Sequence, residues 1–373
     1  MPGISRKRRI PIGAGLAVGL IGILSAPSIA APIPPTSQPS PPLAQGIDQA
    51  TVFASGSASL TQPDDITDLG GDIFVAWQNG LGPLGQPGPG GATTSEVIEY
   101  TTNGALVDQW ALAGHVDGLT AYPQSGEGTS HPNELVATVN EDGNSSLFTI
   151  DPGAPAGQQI AHFAYSLNPL PSGGGTDSIS VVNGQLMISA SAPTSADGPA
   201  LYKVTLNGST ATIQPVFFDN SPAQVANLQA PNAGSTVALM VTDPDSNEVV
   251  PASSPRFGGD LMLDSQGDQR QVYIDGATTL APKLSVLSLS QSVDDSAWAT
   301  DATGTLYATD NADNEVFALT GHFSPGSVYT SVTPGDANTP VNAPGYLGSL
   351  DLRTGTITPV VTTIQPHGLL FVP

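Results

Sequence analysis

The chain has 373 residues, with Asp+Glu 32 against Lys+Arg 9, a formal net charge of −23 and no cysteine. Because binding a phosphate backbone requires clustered Lys and Arg, this balance excludes nucleic acid as a partner and favours cations or cationic partners. The lack of cysteine excludes a disulfide framework. The alternative explanation of the charge is a solvated acidic surface kept for solubility.

The first thirty residues are predicted to be a cleaved signal peptide. Four cationic residues occupy positions 6–9, an apolar stretch runs from Ile12 to Leu24, and small residues surround Ala30. This stretch is short for a membrane span, which needs about 20 apolar residues. We therefore expect a secreted, extracellular protein, free or associated with the cell wall, with no membrane attachment after cleavage.

Residues 31–46 are proline-rich and uncharged, which is typical of an extended linker. Residues 47–373 are predicted to be a single all-β domain. Short runs rich in β-branched and apolar residues follow one another there, and each run is bounded by Gly, Pro, Asn, Asp or Ser.

A short joint recurs along this domain, in which an acidic or small polar turn leads into an apolar strand. In chain order it is PDDITDL, HVDGLTAY, GTDSISVV, SVDDSAWAT and QPHGLLFVP. Asp65, Asp117, Asp177 and Asp295 in these joints are spaced by 52, 60 and 118 residues. This spacing indicates a repeat of about 55 to 60 residues with one joint missing. The missing joint is predicted at STVALMV, which begins at Ser235.

Four short strands per repeat is the ratio of a β-propeller blade with antiparallel strands. Six blades are favoured by the predicted starts of the inner strands, which lie near Asp65, Asp117, Asp177, Ser235, Asp295 and His367. Five blades are the alternative, because the last interval is long and contains an extra apolar run. The N-terminal run TVFAS is predicted to close the ring by pairing with strands from the C-terminal end, which protects edge strands.

The joints of a propeller open onto one mouth of its channel, and here they are acidic. Carboxylates that converge on a funnel are oxygen ligands suited to calcium or magnesium. The candidate metal ligands are Asp65, Asp117, Asp177 and Asp295. The alternative is that each of these side chains accepts hydrogen bonds from backbone N–H groups of its own turn.

Signals for catalysis are weak, since the sequence has no cysteine, no GxSxG elbow and no HExxH motif. His115 and His367 are the candidate general bases, because each opens an inner strand at the mouth.

Two further patterns are predicted to be structural. Trp77, Trp110 and Trp298 lie in apolar runs and are expected to pack in the core. The segment DPDSNEVV, from Asp243, matches only the first ligand positions of a calcium loop. It is predicted to be a turn that leads out of the fourth inner strand.

The joints PDD, VDG, TDS, VDD and PHG, each ahead of a short apolar strand, resemble those of the six-bladed TolB-like propeller superfamily. That superfamily includes NHL-repeat, SMP-30/gluconolactonase-like and streptogramin-lyase-like proteins. The resemblance covers most of residues 51–373, and the whole chain also resembles a secreted family of actinobacteria. SMP-30-like enzymes hold a divalent cation at the mouth with a glutamate, two asparagines and an aspartate. Asp64 and Asp65 stand where that glutamate would be sought, and no NGxxxSPD-like segment is present.

Two function hypotheses follow. The first is a secreted propeller that binds an extracellular ligand or protein partner through its acidic mouth, with no defined catalysis. The alternative, implied by the resemblance, is a divalent-cation-dependent hydrolase, lactonase or lyase that uses a mouth carboxylate or His367 as a base.

Overall fold

Twenty-six β-strands make up the part of the chain that the computed structural model describes, namely residues 46–122, 133–168, 170–171, 174–193, 198–333 and 344–373. The predicted signal peptide and nearly all of the predicted linker, residues 1–45, lie outside these ranges. Two 3-10 turns, Pro89–Gly91 and Gln266–Asp268, lie between strands. Within the described ranges, we find no helix with the length and apolar character needed to cross a membrane.

The strands in chain order are β1 (Ile47–Ser55), β2 (Pro63–Leu69), β3 (Asp72–Trp77), β4 (Thr94–Tyr100), β5 (Leu106–Ala113), β6 (Val116–Ala121), β7 (Leu135–Val139), β8 (Ser146–Ile150), β9 (Ile160–Tyr165), β10 (Thr176–Val182), β11 (Gln185–Ala190), β12 (Pro199–Asn207), β13 (Thr210–Phe218), β14 (Pro222–Val225), β15 (Thr236–Ala238), β16 (Pro244–Val249), β17 (Leu261–Ser265), β18 (Arg270–Asp275), β19 (Lys283–Ser288), β20 (Val293–Trp298), β21 (Thr305–Asp310), β22 (Glu315–Gly321), β23 (Val328–Val332), β24 (Tyr346–Asp351), β25 (Thr356–Val361) and β26 (Pro366–Val372).

These strands form four-stranded antiparallel modules, which we number 1 to 6. Modules 1 to 4 are β2–β5, β6–β9, β10–β13 and β16–β19, module 5 is β20-β23-β24-β25, and module 6 is β26-β21-β22-β1. The first-named strand of each module is its inner strand. Each inner strand contacts the inner strands of two neighbouring modules, in the cyclic order β2, β6, β10, β16, β20, β26. The predicted all-β propeller fold class is confirmed.

Hydrophobic clusters fill the interfaces between modules. The cluster between modules 1 and 2, for example, joins Phe74 and Trp110 to Val116 and Leu135. Corresponding clusters lie between each following pair and between modules 6 and 1. Trp77, Trp110 and Trp298 are buried in these clusters, as predicted. Burial of apolar side chains at about 25 cal/mol per Å² therefore stabilises the contacts between modules as well as each module.

The N-terminal strand completes the module that contains the C-terminal strand. β1 pairs with β22, which pairs with β21, which in turn pairs with the C-terminal strand β26. The prediction that TVFAS pairs with strands from the C-terminal end is confirmed. Since both ends of the domain belong to one sheet, module 6 cannot form without bringing them together.

The prediction of the fourth inner strand at Ser235 is wrong. The run from Ser235 forms β15, a three-residue strand that pairs only with β14, at the outer edge of module 4. The inner strand is β16, which lies in the segment predicted to be a turn leading out of that strand. Hydrophobicity favoured the wrong segment because β16 lines the channel and is polar, whereas Leu239 and Val241 after β15 are buried in the core.

The last two modules exchange strands along the chain. After the inner strand β20, the chain enters module 6 to form the hairpin β21–β22, and it then returns to module 5 at β23. β23 therefore pairs directly with β20. This crossing explains the long interval between the last two joints and the extra apolar run within it.

Candidate functional site

All six inner strands contain a β-bulge near their N-terminal ends. In each strand the pairing register shifts between the first paired residue and the next one, as between Pro63 and Ile66 in β2. A bulge twists the strand and re-aims the side chains within it. The residue after the first paired residue is therefore structurally equivalent in all six modules. We call this set the mouth ring: Asp64, Asp117, Asp177, Asp245, Asp294 and His367.

A cavity of about 370 Å³ opens from the mouth ring into the channel. Ring members Asp64, Asp117, Asp245, Asp294 and His367 line it, and the lining contains no Lys or Arg among the described residues. The opening of the channel is therefore lined mainly by acidic side chains.

His367 joins two carboxylates of the ring. Its Nδ1 lies 2.7 Å from Asp294 Oδ2 and 3.6 Å from Asp64 Oδ1. Burial lowers the pKa of His367, but the nearby carboxylates, led by Asp294, outweigh it and raise the pKa to about 9. The imidazole is thus protonated at neutral pH. Sequence reasoning assigned His367 as a base, whereas this pKa makes it a cation and a proton donor.

Among the ring carboxylates discussed here, Asp294 is the one whose ionised form its neighbours stabilise most. Burial raises its pKa, but His367 and hydrogen bonds from Gln266 and the Asp245 carboxyl outweigh burial and lower the pKa to about 2. Gln266 Nε2 donates to Asp294 Oδ1 at 2.7 Å and also to Asp245 Oδ2. The pKa of Asp64 is raised to about 7, mainly by burial, although Gln78 Nε2 donates to Asp64 Oδ2 at 2.8 Å.

Asp177, in module 3, has a pKa that shifts in the opposite direction to that of Asp294. Its pKa is raised well above 3.8, first by burial and then by Glu141, Asp117 and further carboxylates. Each neighbouring charge named here repels the ionised form. Burial and repulsion between like charges both favour a protonated carboxyl.

A second cluster stands beside the ring in module 2. Ligand atoms of His115, Asp117 and Glu141 lie within 4.8 Å of one another. His115 Nδ1 contacts Asp117 Oδ1, and the Glu141 N–H donates to Asp117 Oδ2 at 3.2 Å. Burial lowers the pKa of His115, but Asp117 and the other nearby carboxylates outweigh burial and raise it. One nitrogen and two carboxylates form a donor set that divalent metals accept.

Two further predicted metal ligands, Asp295 and Asp65, also accept hydrogen bonds from the backbone, as Asp117 does. Asp295 Oδ1 accepts the N–H of Ser296 at 2.7 Å, and its Oδ2 accepts the N–H of Leu369 in module 6 at 2.6 Å. Asp65 does the same with the N–H groups of Ile66 and of Leu119 in module 2. These two carboxylates therefore tie neighbouring modules together.

Two glycines in the inner-strand bulges lie against the backbone of a neighbouring inner strand. A Cβ on Gly368 would lie 2.2 Å from the carbonyl oxygen of Asp64, and a Cβ on Gly118 would lie 2.7 Å from that of Asp177. The inner strands approach too closely there for a side chain. The joints VDG and PHG therefore encode a close approach as well as a ring residue.

Apart from the mouth ring, the cavity is lined by apolar, uncharged polar and acidic residues. Ser180, Asn247 and Glu248 are among these residues. Asn247 is 7% exposed and Ser180 is 6% exposed. Within the described part of the chain, the side-chain nitrogen and oxygen of Asn247 have no hydrogen-bond partner, and the Ser180 hydroxyl has none either. The pKa of Glu248 is raised well above 4.5 by burial and by Asp295 and other acids.

Sequence reasoning brought some of these residues together and missed others. The ring contains the predicted residues Asp117, Asp177 and His367, while His115 stands beside it. Asp245 was missed as a ring member, although PDS at 244–246 matches the joints PDD, VDG and TDS. Two further site residues had no local signal, because they reach ring carboxylates from outside the inner strands: Gln78 and Gln266. Asn247 was missed together with its strand, β16.

No protein-family model matches the sequence. No curated protein matches it either.

Solved propeller structures resemble the fold at low identity. A virginiamycin B lyase from Staphylococcus aureus is 12% identical, with 87% of this chain and 81% of that chain covered and a TM-score of 0.43. A periplasmic gluconolactonase from Pseudomonas aeruginosa is 14% identical, with 83% and 88% covered and a TM-score of 0.44. A protein of unknown function from Bacteroides caccae is 8% identical, with 83% and 86% covered and a TM-score of 0.46. TM-scores below 0.5 support no statement about the ligand or reaction of this chain.

Proposed function

We propose that this protein is a six-bladed propeller that binds a cationic ligand at the acidic mouth of its channel, without a reaction of its own. One observation carries the proposal. The equivalent position of six inner strands holds five aspartates and one histidine around a cavity whose described lining has no Lys or Arg.

The electrostatics of the ring favour a bound cation on one side of the ring, near Asp177 and Asp117. His367 already supplies a positive charge to Asp64 and Asp294, whereas the leading charges that shift the pKa of Asp177 are those of acids. A cation near Asp177 and Asp117 relieves this repulsion and stabilises the native state by mass action. Since the pKa values of both carboxyls are raised, a bound cation competes with protons there and binds more strongly as the pH rises.

The first test compares calcium with sodium at equal ionic strength. Millimolar calcium is expected to raise the melting temperature of the domain more than matched sodium chloride, because sodium only screens the charges. The triple variant Asp117→Asn, Asp177→Asn and Asp245→Asn should lose this excess. A matched control carries the same change at three exposed acids, Asp48, Asp108 and Asp301. Equal shifts with calcium and sodium in the unmutated protein would refute a divalent cation as the ligand.

A second function is favoured by the contact between His367 and Asp294. A histidine held through Nδ1 by a buried carboxylate, with 32% of its side chain exposed at the mouth, has the arrangement of a general acid. Its raised pKa supports proton donation to a leaving group of a hydrolase, lactonase or lyase. In this case lactone or ester turnover should require His367, disappear with EDTA, and return with calcium or magnesium. Turnover by His367→Gln at the unmutated rate would exclude this role.

We also propose that the domain acts outside the cell after removal of residues 1–30. The basic and apolar segments of this region support export. Expression of the full chain should place the domain in the medium or on the cell wall, with a new N terminus at Ala31. A domain retained in the cell with its first thirty residues intact would contradict this proposal.

A further inference from the structure

A second cavity, which we call the arginine groove, lies between modules 4 and 5 and shares no lining residue with the channel cavity. It has a volume of about 510 Å³, and its lining includes Leu228, Pro255, Arg256, Ser327 and Arg353. Leu228 is 53% exposed, and Pro255 and Arg353 are exposed as well. The groove is therefore open to solvent and combines apolar with cationic side chains.

Cationic side chains are rare in this protein, which makes their position informative. Four of the nine Lys and Arg residues lie at positions 6–9, and the others are Lys203, Arg256, Arg270, Lys283 and Arg353. Two of these five line the arginine groove. A local concentration of positive charge in an acidic domain favours an anionic ligand at that place.

Arg256 is held in the wall of the groove by the backbone of both modules. Its Nη1 donates to the carbonyl oxygen of Leu352, and its Nη2 donates to that of Ala226 at 3.0 Å. Its guanidinium also lies 4.5 Å from the centre of the Phe257 ring. A guanidinium has five N–H donors, so Arg256 is fixed in one orientation and still has donors for a ligand.

Arg353 is the cation of the groove without a side-chain partner. Among the described residues its guanidinium has no ion pair and no hydrogen bond. Both carboxylate oxygens of Asp351, which also lines the groove, accept hydrogen bonds in their own turn, from the Arg353 N–H and the Thr354 hydroxyl. Burial lowers the pKa of Arg256, and the like charge of Arg353 lowers it further, although neighbouring acidic groups raise it. An anion that contacts both guanidinium groups relieves this repulsion and accepts charge-assisted hydrogen bonds.

The apolar side chains of the groove favour an anion with an apolar part. Leu228 and Pro255 present apolar surface beside the two cations, and a small inorganic anion leaves that surface in water. The volume of about 510 Å³ lies within the range of small-molecule sites, about 300–1,000 Å³. A stable protein interface requires a larger surface, about 800 Å² on each side. The groove therefore fits a small amphiphilic molecule better than a protein.

We propose that the arginine groove binds an apolar carboxylate, with the chemistry of a medium-chain fatty acid. Its carboxylate contacts Arg256 and Arg353, whose planar N–H donors match carboxylate oxygens. Its alkyl chain covers Leu228 and Pro255. This site is independent of the proposed cation-binding function, because the two cavities have no residue in common.

The test measures binding of octanoate, 1-octanol and acetate to the full chain by calorimetry at pH 7 and about 0.15 M sodium chloride. Octanoate is expected to bind at least tenfold more tightly than 1-octanol, which has the chain without the charge. It should exceed acetate by at least the same factor, because acetate has the charge without the chain.

Two variants test the two halves of the site. Arg353→Met should weaken octanoate binding about tenfold, because it removes the charged donors and keeps the length of the side chain. Leu228→Ser should weaken it about threefold, because it removes apolar contact. Lys283→Met, at a side chain that is 84% exposed outside the groove, is the matched control for charge and should bind octanoate as the unmutated protein does. Since all three side chains are exposed, the melting temperatures should be nearly unchanged.

Several outcomes would overturn this inference. They are no binding of octanoate at millimolar concentration, equal binding of octanoate and 1-octanol, and unchanged octanoate binding in Arg353→Met. Tighter binding of a peptide that ends in leucine than of octanoate would assign the groove to the C terminus of a protein partner and would overturn it as well.

The calcium experiment separates this inference from the proposed function. The calcium-dependent rise in melting temperature should be the same in Arg353→Met as in the unmutated protein. Failure of octanoate to bind therefore leaves the cation-binding function standing, and a missing calcium effect leaves the carboxylate site standing.

Discussion

Asp294 and Asp177 occupy equivalent positions in modules 5 and 3, yet their pKa values shift in opposite directions. Asp294 contacts His367 and Gln266, and its pKa falls to about 2. Asp177 is buried near Glu141 and Asp117, and its pKa rises. The same bulge and the same side chain therefore produce a stabilised carboxylate on one side of the ring and a destabilised one on the other. What differs is the charge supplied by the neighbouring modules.

This contrast divides the ring into two sectors. The sector of modules 5, 6 and 1 contains its own cation, since His367 lies between Asp294 and Asp64. The sector of modules 2 to 4 has His115 beside Asp117, a carboxyl with a raised pKa at Asp177, and unpaired polar groups at Ser180 and Asn247. The carboxylates of the first sector therefore already have a positive charge between them. The second sector is the one in which a ligand can add favourable contacts, and the following predictions test this difference.

The largest effect is expected from removing the internal cation. His367→Leu leaves the buried carboxylates of Asp64 and Asp294 facing each other, so the free energy of unfolding at pH 7 should fall by about 2–3 kcal/mol. This value allows for the solvent that reaches part of the His367 side chain. Urea denaturation measures the change. His322→Leu, at a side chain that is 85% exposed, is the control and should leave stability nearly unchanged.

A smaller loss is expected at the carboxylate that ties modules 5 and 6 together. Asp295→Asn replaces one acceptor oxygen with an N–H₂ group, so the side chain can no longer accept from both Ser296 and Leu369. Loss of one such buried hydrogen bond should lower the free energy of unfolding by about 1–2 kcal/mol. Denaturation at pH 8 without calcium measures it. A gain in stability would show that Asp295 behaves as a repelling ring acid instead.

The same substitution at Asp177 should have the opposite sign. Asp177→Asn removes a buried acid that is repelled by Glu141, Asp117 and further carboxylates, so stability without calcium should rise by about 1 kcal/mol at pH 8. The calcium-dependent increase in melting temperature should shrink in the same variant. A fall in stability comparable to that of Asp295→Asn would mean that the two sectors do not differ.

The smallest effect is the pH dependence of the unmutated protein. Raised folded-state pKa values stabilise the fold at low pH, and this stability is lost as the pH rises through them. For His367 the loss runs from its ordinary value of 6.5 to about 9, and for Asp64 from 3.8 to about 7. The free energy of unfolding should therefore fall by about 1 kcal/mol between pH 6.5 and 8, after allowance for solvent screening. Constant stability over this window would contradict the raised pKa values.

Much of this architecture could be predicted from local sequence. The short runs bounded by turn residues predict strands, and the joints PDD, VDG, TDS, VDD and PHG mark five of the six inner strands. The sixth, PDS at residues 244–246, has the same form. It was missed because β16 is polar along the channel, while the nearby run from Ser235 is more apolar. The motif was a better guide than hydrophobicity at this position.

The sequence by itself determined most of the strands, the recurring joint and the acidic or histidine residue within it, because turn chemistry and strand patterns act over a few residues. Only the tertiary structure decided how those residues interact. The exchange of β21 and β22 into module 6, the placement of His367 between Asp64 and Asp294, and the like-charged surroundings of Asp177 depend on contacts between modules. Coulomb energy and desolvation depend on distance through space, and residues far apart in the chain set those distances.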